Sequence, residues 1–336
     1  MNDYPFDKIL VTGGSGFIGS TYIEKILKEY SNFEILNLDK ISYASSPRTN
    51  ELFNSYDNFS FLKIDIADRK ALESAVLEFS PSLIINFAAE SHVDNSIKAS
   101  EDFIQSNIIG SYNLLEVSRK IYDSNDNFMF HHISTDEVYG DLLFDEMPFT
   151  EENQYKPSSP YSSSKASADL LVMSWGRTYN IPFLVTNCSN NYGPRQYLEK
   201  FIPTIISQLK NGKKVPVYGD GLNIRDWIYV EDHIDAIFSL HEKGCKNSIF
   251  NIGGNDEKSN IDVVNLILLQ MSALEFVSAD FNAINFIEDR KGHDLRYSID
   301  SSKIQKTTGW EPSTKFDDGI VKTIHWYLEN ESWWKG

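Results

Sequence analysis

Two groups of residues in the middle of the chain have the composition and spacing of acid–base chemistry. Thr135, Asp136 and Glu137 follow an apolar run at 128–133 and place two carboxyl groups side by side. A reaction that moves two protons needs such a pair, one carboxyl as acid and one as base. Tyr161 and Lys165 follow, four residues apart. A nearby ammonium can make the phenol of a tyrosine more acidic, and such a pair suits the oxidation of an alcohol. These groups indicate oxidation and elimination in one site; in the alternative interpretation, Asp136 and Glu137 are solvated residues that begin a loop.

The elements that must position these residues alternate between apolar strands and periodic helices. The predicted strands cover 8–12, 34–39, 59–65, 83–87, 128–133 and 183–187, and the predicted helices cover 17–30, 71–79, 101–122 and 161–179. This alternation predicts an α/β fold, a Rossmann-type doubly wound parallel sheet covered on both faces.

The second half of the chain is less regular. Turn signals occur at Gly193-Pro194, at 219–221 and at Gly253-Gly254, and no Pro/Gly/Ser-rich linker stands out. We expect residues 1–189 to form a Rossmann-type domain to which later segments return. We expect residues 190–336 to form mainly a smaller C-terminal α/β domain that binds the substrate.

The glycine-rich turn Gly13-Gly-Ser-Gly16-Phe-Ile-Gly19 follows the first strand and opens the first helix. This arrangement lets a pyrophosphate approach the backbone at the helix N-terminus. Asp39, at the end of the second strand, would accept hydrogen bonds from a ribose 2′-OH and repel a 2′-phosphate, which favours NAD over NADP. The Rossmann domain at 1–189 is therefore predicted to bind NAD. The alternative is a strand–turn–helix without a ligand. Asp65 and Ile66 either reach the adenine edge or, for Asp65, cap the next helix.

Composition limits the possible partners. The chain has 336 residues and a net charge of −17, which argues against nucleic-acid and anionic-membrane partners. The two cysteines, the absence of a signal pattern and the absence of a long apolar run predict a cytoplasmic protein. The histidines show no metal spacing, and we expect one ring of the His131-His132 pair to be buried and the other to point outward. Ser162–Ser164 are not accompanied by a nucleophile elbow.

The motifs together resemble those of the extended short-chain dehydrogenase/reductases, and within them the dTDP-glucose 4,6-dehydratases. The resemblance covers nearly the whole chain and rests on the following stretches: 39–44 (DKISYA), 88–94 (AAESHVD), 134–141 (STDEVYGD), 161–166 (YSSSKA), 188–194 (CSNNYGP), 199–203 (EKFIP), 219–227 (GDGLNIRDW) and 289–294 (DRKGHD). The Thr-Asp-Glu triplet is the specific motif, because sister epimerases and decarboxylases lack the adjacent carboxylates.

The resemblance implies a mechanism for conversion of dTDP-glucose to dTDP-4-keto-6-deoxyglucose. Tyr161, with its pKa lowered by Lys165 and by the nicotinamide charge, would take the 4-OH proton during oxidation at C4. Glu137 would remove the C5 proton while Asp136 protonates the leaving 6-OH, and hydride would return to C6. Thr135 would bind the sugar 4-oxygen. The product would enter rhamnose or other deoxysugar synthesis.

The resemblance also implies the remaining site residues. NAD contacts are expected at Gly13, Gly16, Phe17, Ile18, Gly19, Asp39, Lys40, Ser42, Asp65, Ile66, Ala88, Ala89, Ser106, Tyr161, Lys165 and Asn191. Sugar-nucleotide contacts are expected at Ser91, Thr135, Asn190, Lys200, Phe201, Pro216, Val217, Tyr218, Arg225, Asn260, Arg290 and His293. Arg225 also suits a diphosphate clamp on chemical grounds, and the alternative is a surface arginine paired with Asp226. A homodimer through a four-helix seam is expected from the helices at 101–122 and 161–179, whose apolar stripes first of all face the core.

The chain departs from the family pattern at Asn95, where an arginine is usual, and at Arg195 and Leu198, where an aromatic residue and a proline are usual. UDP- or CDP-glucose therefore stays open as the substrate. A nucleotide-sugar epimerase or decarboxylase, and a catalytically silent NAD-bound scaffold, are further alternatives. The adjacent carboxylates argue against an epimerase or decarboxylase. A silent scaffold is less expected because this chain keeps all five predicted catalytic residues: Thr135, Asp136, Glu137, Tyr161 and Lys165.

Overall fold

The computed structural model describes residues 2–123, 125, 127–277 and 281–334. Its strands are, in chain order, β1 (Asn2–Asp3), β2 (Lys8–Thr12), β3 (Tyr30–Ser31), β4 (Glu34–Asp39), β5 (Phe59–Lys63), β6 (Leu83–Asn86), β7 (Met129–Thr135), β8 (Phe183–Cys188), β9 (Asn190–Tyr192), β10 (Val215–Tyr218), β11 (Ile224–Tyr229), β12 (Ser248–Ile252), β13 (Glu257–Ser259) and β14 (Ile284–Ile287).

Seven of these strands form one parallel sheet in the order β12-β8-β7-β6-β2-β4-β5. The order reverses between β2 and β6, so the carboxyl ends of these two strands border a crevice, the usual ligand position in doubly wound sheets. The predicted Rossmann-type α/β fold is confirmed.

Helices connect the strands. They are α1 (Phe17–Glu29), α2 (Pro47–Phe53), α3 (Arg69–Phe79), α4 (Val93–Lys98), α5 (Glu101–Phe103), α6 (Gly110–Tyr122), α7 (Pro160–Tyr179), α8 (Phe201–Lys210), α9 (Val230–Glu242), α10 (Asn260–Ala273), α11 (Ser302–Thr308), α12 (Phe316–Glu329) and α13 (Glu331–Trp334). The helix predicted at 101–122 contains a π-helical segment, Ile104–Ile109, between α5 and α6. Short 3₁₀ turns cover Asp136–Val138 and Phe281–Ala283.

Both faces of the large sheet are buried, because side chains alternate along a strand and helices cover each side. Ile9 and Val11 of β2 pack into the core beneath α1 and α9, whereas Leu10 packs into the core beneath α3 and α6. The same alternation corrects the prediction for His131 and His132. Both rings are buried, at 0% and 1% exposure, because neither face of β7 meets solvent.

The second half of the chain is more helical than predicted. α8, α10 and α12 enclose a separate apolar core with β10 and β11, and Ile205, Ile267 and Ile320 are fully buried in it. β12 instead pairs with β8 at the edge of the large sheet. The division of the chain at residue 189 stays a prediction.

Among the residues that the structure describes, no helix combines the length and apolar composition needed to cross a membrane.

Candidate active site

The glycine-rich turn packs closely against the residues that follow β6, the neighbouring strand in the sheet. Gly13 has a φ of +72°, and a Cβ on it would lie 2.6 Å from the amide nitrogen of Ala88. A Cβ on Gly19 would lie 2.5 Å from the carbonyl oxygen of Gly13. The N-cap residue of α1 is Gly16, and no side chain caps the helix, so its first N–H groups are free to meet an anion. This geometry fits a dinucleotide pyrophosphate.

Asp39 ends β4 beside this turn and is 5% exposed. One carboxylate oxygen accepts from the Ser15 amide at 3.0 Å, and the other accepts from the Ile41 amide at 2.7 Å and from the Ser45 hydroxyl at 3.1 Å. Burial raises the pKa of Asp39, while these hydrogen bonds oppose that change. A carboxylate has about four acceptor positions, so one is left for a ribose hydroxyl.

All residues predicted to contact NAD line one cleft at the carboxyl ends of the central strands, together with all five predicted catalytic residues. The cleft is also lined by residues that were not predicted: Leu38, Ala44, Ser45, Ile64, Phe87, Glu90, Ile133, Ser134, Cys188, Ser189, Gln196 and Tyr197. Lys40 donates to the Ser106 hydroxyl at 2.9 Å and lies 2.8 Å from the Glu90 carboxylate. The π-helical segment that carries Ser106 therefore contacts the cofactor side of the cleft, and such segments recur at functional sites.

Asp65 does not cap the next helix, and its side chain lies in the cleft. Its carboxylate accepts from the Ala67 amide at 2.9 Å, while the N-cap of α3 is Asp68. It also lines the cleft together with Ile66.

The adjacent carboxyl groups lie where β7 ends and a 3₁₀ turn begins. Thr135 donates to Asp136 Oδ1 at 3.2 Å and accepts from the Glu137 amide at 3.3 Å. Asp136 is 2% exposed, and its Oδ2 has no hydrogen-bond partner among the described residues. Asp136 is therefore not a solvated loop residue, and it presents an unpartnered oxygen in the cleft.

The two carboxyl groups differ in their surroundings. Burial raises the pKa of Asp136 well above its ordinary value, and Glu137 and Asp226 raise it further. Burial also raises the pKa of Glu137, but the positive charges of Arg290, Arg225 and Lys200 oppose that change. The environment therefore favours a protonated Asp136 more strongly than a protonated Glu137.

Tyr161 and Lys165 lie one turn apart on α7. Burial raises the pKa of the Tyr161 phenol well above its usual value, and the negative charge of Glu137 raises it further, while a hydrogen bond with Thr135 opposes the change. The expected lowering by Lys165 is not found. The Lys165 ammonium instead donates to the Ile133 carbonyl at 2.7 Å and lies 3.2 Å from His132 Nε2. The protein alone therefore does not make Tyr161 a base at neutral pH.

Arg225 is not a surface residue paired with Asp226. It is 4% exposed, its guanidinium lies 4.1 Å from the centre of the Tyr297 ring, and it donates to the Asp294 carbonyl at 2.9 Å. Asp226 accepts from the backbone amides of Gly254 and Asp256 instead. Arg225 thus holds a fixed positive charge near Glu137.

The predicted sugar-nucleotide residues fall into two sets. Ser91, Thr135, Asn190 and Lys200 line the cleft. Lys200 donates to the backbone and side-chain oxygens of Ser91 at 2.6 and 3.2 Å. The remaining residues lie outside that lining: Phe201, Pro216, Val217, Tyr218, Arg225, Asn260, Arg290 and His293.

Part of this second set is clustered. Tyr218 donates to Asp94 at 2.8 Å, Arg290 lies 3.7 Å from the same carboxylate, and the Tyr218 and His293 rings are 6.2 Å apart. Val217 is 1% exposed and Phe201 stacks on Trp227, so both side chains belong to the second core.

Sequence reasoning also missed Asp169, which is fully buried next to Lys165. The sequence did contain a signal for Asp169. Residues 161, 165 and 169 are spaced four apart, so they lie on the same face of a helix. In the part of the chain that the structure describes, no group of three or more His, Cys, Asp or Glu side chains is arranged to hold a metal ion.

Comparison with known proteins agrees with this geometry. Residues 10–323 match the family described as GDP-mannose 4,6 dehydratase. The chain is 46% identical over 338 residues to a dTDP-glucose 4,6-dehydratase of Neisseria meningitidis, an alignment that covers 98% of this chain and 95% of the relative.

Two solved structures have the same fold. The dTDP-glucose 4,6-dehydratase of Bacillus anthracis in complex with NAD is 41% identical, with a TM-score of 0.88 and coverage of 98% of this chain and 99% of that one. The dTDP-glucose 4,6-dehydratase DesIV of Streptomyces venezuelae, with NAD and dTDP bound, is 36% identical, with a TM-score of 0.91 and the same coverage.

Proposed function

The chain belongs to the dTDP-glucose 4,6-dehydratases, within the GDP-mannose 4,6-dehydratase family, and on this premise we propose that it dehydrates dTDP-glucose to dTDP-4-keto-6-deoxyglucose. The observation that carries the proposal is the pair Asp136 and Glu137, adjacent in sequence, both in the cleft, and in surroundings that separate their pKa values. Two carboxyl groups separated in this way can serve as acid and base in one elimination.

NAD fits the cleft on structural grounds. The close approach of Gly13 to Ala88 leaves backbone accessible to a pyrophosphate, and Asp39 keeps one acceptor position for a ribose hydroxyl. When bound, NAD supplies the oxidant for C4 and the reductant for C6, together with a positive charge near Tyr161.

Tyr161 takes the proton of the sugar 4-OH. Because burial and Glu137 raise its pKa in the protein, the phenolate forms only when positive charge is added to the cleft. Oxidation is therefore coupled to occupancy of the cofactor site. Thr135, hydrogen-bonded with Tyr161, binds the sugar 4-oxygen.

Asp136 and Glu137 carry out the elimination. Asp136, which burial keeps protonated, gives its proton to the departing 6-OH. Glu137, kept more acidic by Arg290, Arg225 and Lys200, removes the proton from C5. These same cations suit a diphosphate, so substrate binding draws their charge toward the phosphates and leaves Glu137 a stronger base.

We further propose that two copies pair through a four-helix seam built on the helical stretch at 101–122 and on α7. Ile104, Ile109 and Leu170 are exposed by 43%, 37% and 58%, an apolar surface that a partner copy would cover. Leu170→Glu should then yield a monomer in size-exclusion chromatography, while Leu269→Glu, at another exposed leucine, on α10, should not. The free cysteines Cys188 and Cys245 support a reducing, cytoplasmic location.

The substrate is tested by incubating the pure protein with dTDP-, UDP- and CDP-glucose and assaying the 4-keto-6-deoxy product. We expect the dTDP sugar to be preferred and the product to feed rhamnose or other deoxysugar synthesis. Preference for the UDP or CDP sugar would leave the proposed reaction unchanged and would change only the nucleotide of the substrate. Epimerised sugar without loss of water would contradict the proposal.

A further inference from the structure

We propose that Asp169 is a positioning residue that keeps the Lys165 side chain charged in the cleft, while the Ile133 carbonyl holds the ammonium in place. The inference rests on the proposed function for the role of Lys165 toward NAD, and it concerns a residue that no prediction included. Asp169 follows Lys165 by one helical turn on α7, and both side chains are buried, at 0% and 4% exposure.

A buried ammonium needs a counter-charge. Burial lowers the pKa of Lys165, and the two groups that oppose this are Asp169 first and then Cys188. Burial also raises the pKa of the Cys188 thiol, to about 12, so the thiol stays uncharged at neutral pH. His132, 3.2 Å from Lys165, has a pKa well below its ordinary value because of burial and the lysine charge, and it brings no negative charge. Asp169 is therefore the carboxylate on which the ammonium depends.

Asp169 is itself held in place from β7. Ser134 donates to its Oδ2 at 2.8 Å, and its Oδ1 lies 3.5 Å from His132 Nε2 and has no hydrogen-bond partner among the described residues. Ser134 lies between Ile133, whose carbonyl accepts from Lys165, and Thr135 of the catalytic group. Through Ser134, Asp169 thus connects the part of α7 that carries Lys165 to the end of β7, where Asp136 and Glu137 follow.

The other groups facing this carboxyl are neutral phenols. Tyr155 is hydrogen-bonded with Asp169, and Tyr139 lies close enough for Asp169 to raise its pKa. Burial raises the pKa of Asp169 to about 7, while Lys165, Ser134 and Tyr155 oppose that change. Above that pH the carboxylate is charged, and this is the range in which an unsupported buried lysine would lose its proton.

The test is the affinity for NAD as a function of pH, measured by calorimetry on the full chain. Asp169→Asn removes the charge with little change in shape, so the pKa of Lys165 should fall further below its ordinary value. NAD should then bind about tenfold more weakly at pH 8.5 but close to normally at pH 6, where the ammonium persists without help. In the dehydration assay, the alkaline limb of kcat should move to lower pH, with KM little changed.

Three further variants complete the test. Asp232→Asn removes another buried carboxylate that accepts from a serine, Ser313 at 2.7 Å, and should leave both pH profiles unchanged. In a Lys165→Met background, Asp169→Asn should have no further effect on NAD affinity. Should Asp169→Asn fail to fold, Ser134→Ala raises the pKa of Asp169 and should shift the profiles in the same direction by less.

A pH-independent loss of NAD affinity in Asp169→Asn, or an unchanged alkaline limb, would overturn the inference. If the wild-type protein dehydrated no nucleotide-glucose, the proposed function would fail, while the NAD titrations would still decide the role of Asp169.

Discussion

The Lys165 ammonium donates a 2.7 Å hydrogen bond to the carbonyl oxygen of Ile133. Ile133 lies in β7 two residues before Thr135, and Lys165 lies in α7 one turn after Tyr161. This contact therefore ties the strand end that carries the two carboxyl groups to the helix that carries the phenol. An ammonium has three donors, so the bond to Ile133 leaves others for a ligand in the cleft.

Lys165→Met should weaken NAD binding by about tenfold or more, since a hydrogen bond to a charged group contributes roughly 1.5–3 kcal/mol. Loss of the ammonium also removes the tie to Ile133. Calorimetric titration with NAD measures the effect. Lys213→Met, at an exposed lysine, is the control and should bind NAD normally. Unchanged affinity in Lys165→Met would show that the ammonium does not reach the cofactor.

Tyr161→Phe should abolish oxidation at C4. The variant lacks the oxygen that accepts the proton, so bound NAD should stay unreduced when dTDP-glucose is added. Absorbance near 340 nm, the usual reduced-nicotinamide band, follows this step directly. Tyr192→Phe, which removes a buried hydroxyl that donates to the Phe316 carbonyl in the second core, should still reduce its NAD. Prompt reduction in Tyr161→Phe would place the base elsewhere.

Asp136→Asn and Glu137→Gln should stop the reaction after oxidation. We expect dehydration to fall by about 10²–10⁴-fold in each, since this is the usual contribution of a positioned acid or base. Reduced cofactor should accumulate on Asp136→Asn, because the 6-OH is no longer protonated as it leaves. Glu137→Gln should in addition lose exchange of the C5 hydrogen with deuterated solvent. Near wild-type dehydration by both variants would show that the two carboxyls are not the acid and the base.

The wild-type protein should bind NAD in preference to NADP, because a 2′-phosphate would meet the negative charge of Asp39. Turnover should show no net NADH, since the reductant formed at C4 is used at C6. Titration with both cofactors and a 340 nm record during steady-state turnover measure these outcomes. Accumulation of NADH in step with product would contradict the return of hydride to C6 of the same substrate molecule.

The spacing of nearby residues predicts which side chains line the cofactor half of the cleft, for a physical reason. The turn at Gly13 and the strand end at Asp39 depend on neighbouring residues, so short-range spacing indicates them. The helices α8, α10 and α12 were not predicted, because turn glycines such as Gly219 and Gly253 were the strongest signals in this part of the sequence. The apolar faces of these helices pack against each other, and that packing is not visible in the sequence. The burial of His132 and the raised pKa of Tyr161 depend on which helices cover β7. That is a tertiary property, and no spacing indicates it.

Asp136→Asn should also make the protein more stable at alkaline pH, although it removes activity. Burial raises the pKa of Asp136 well above its ordinary value, so the folded chain binds this proton more tightly than the unfolded chain. The fold therefore has the full benefit of the protonated form only below the ordinary aspartate pKa. It loses stability as pH rises from there toward the folded pKa, by about 1.4 kcal/mol for each pH unit that separates the two pKa values. Asparagine carries no charge at any pH and avoids this loss.

Thermal unfolding of the two proteins across pH 4–8.5 measures this difference. The melting temperature of Asp136→Asn should exceed that of the wild type at pH 8.5, and the two should converge toward pH 4. Asp232→Asn is the matched comparison, because the Asp232 carboxylate accepts from Ser313 and from the Thr314 amide at 2.7 and 2.9 Å and its loss should destabilise the fold. If Asp136→Asn lost stability at pH 8.5 as Asp232→Asn does, the Asp136 carboxyl would be a structural group. Its unpartnered oxygen would then not mark an acid held ready for substrate.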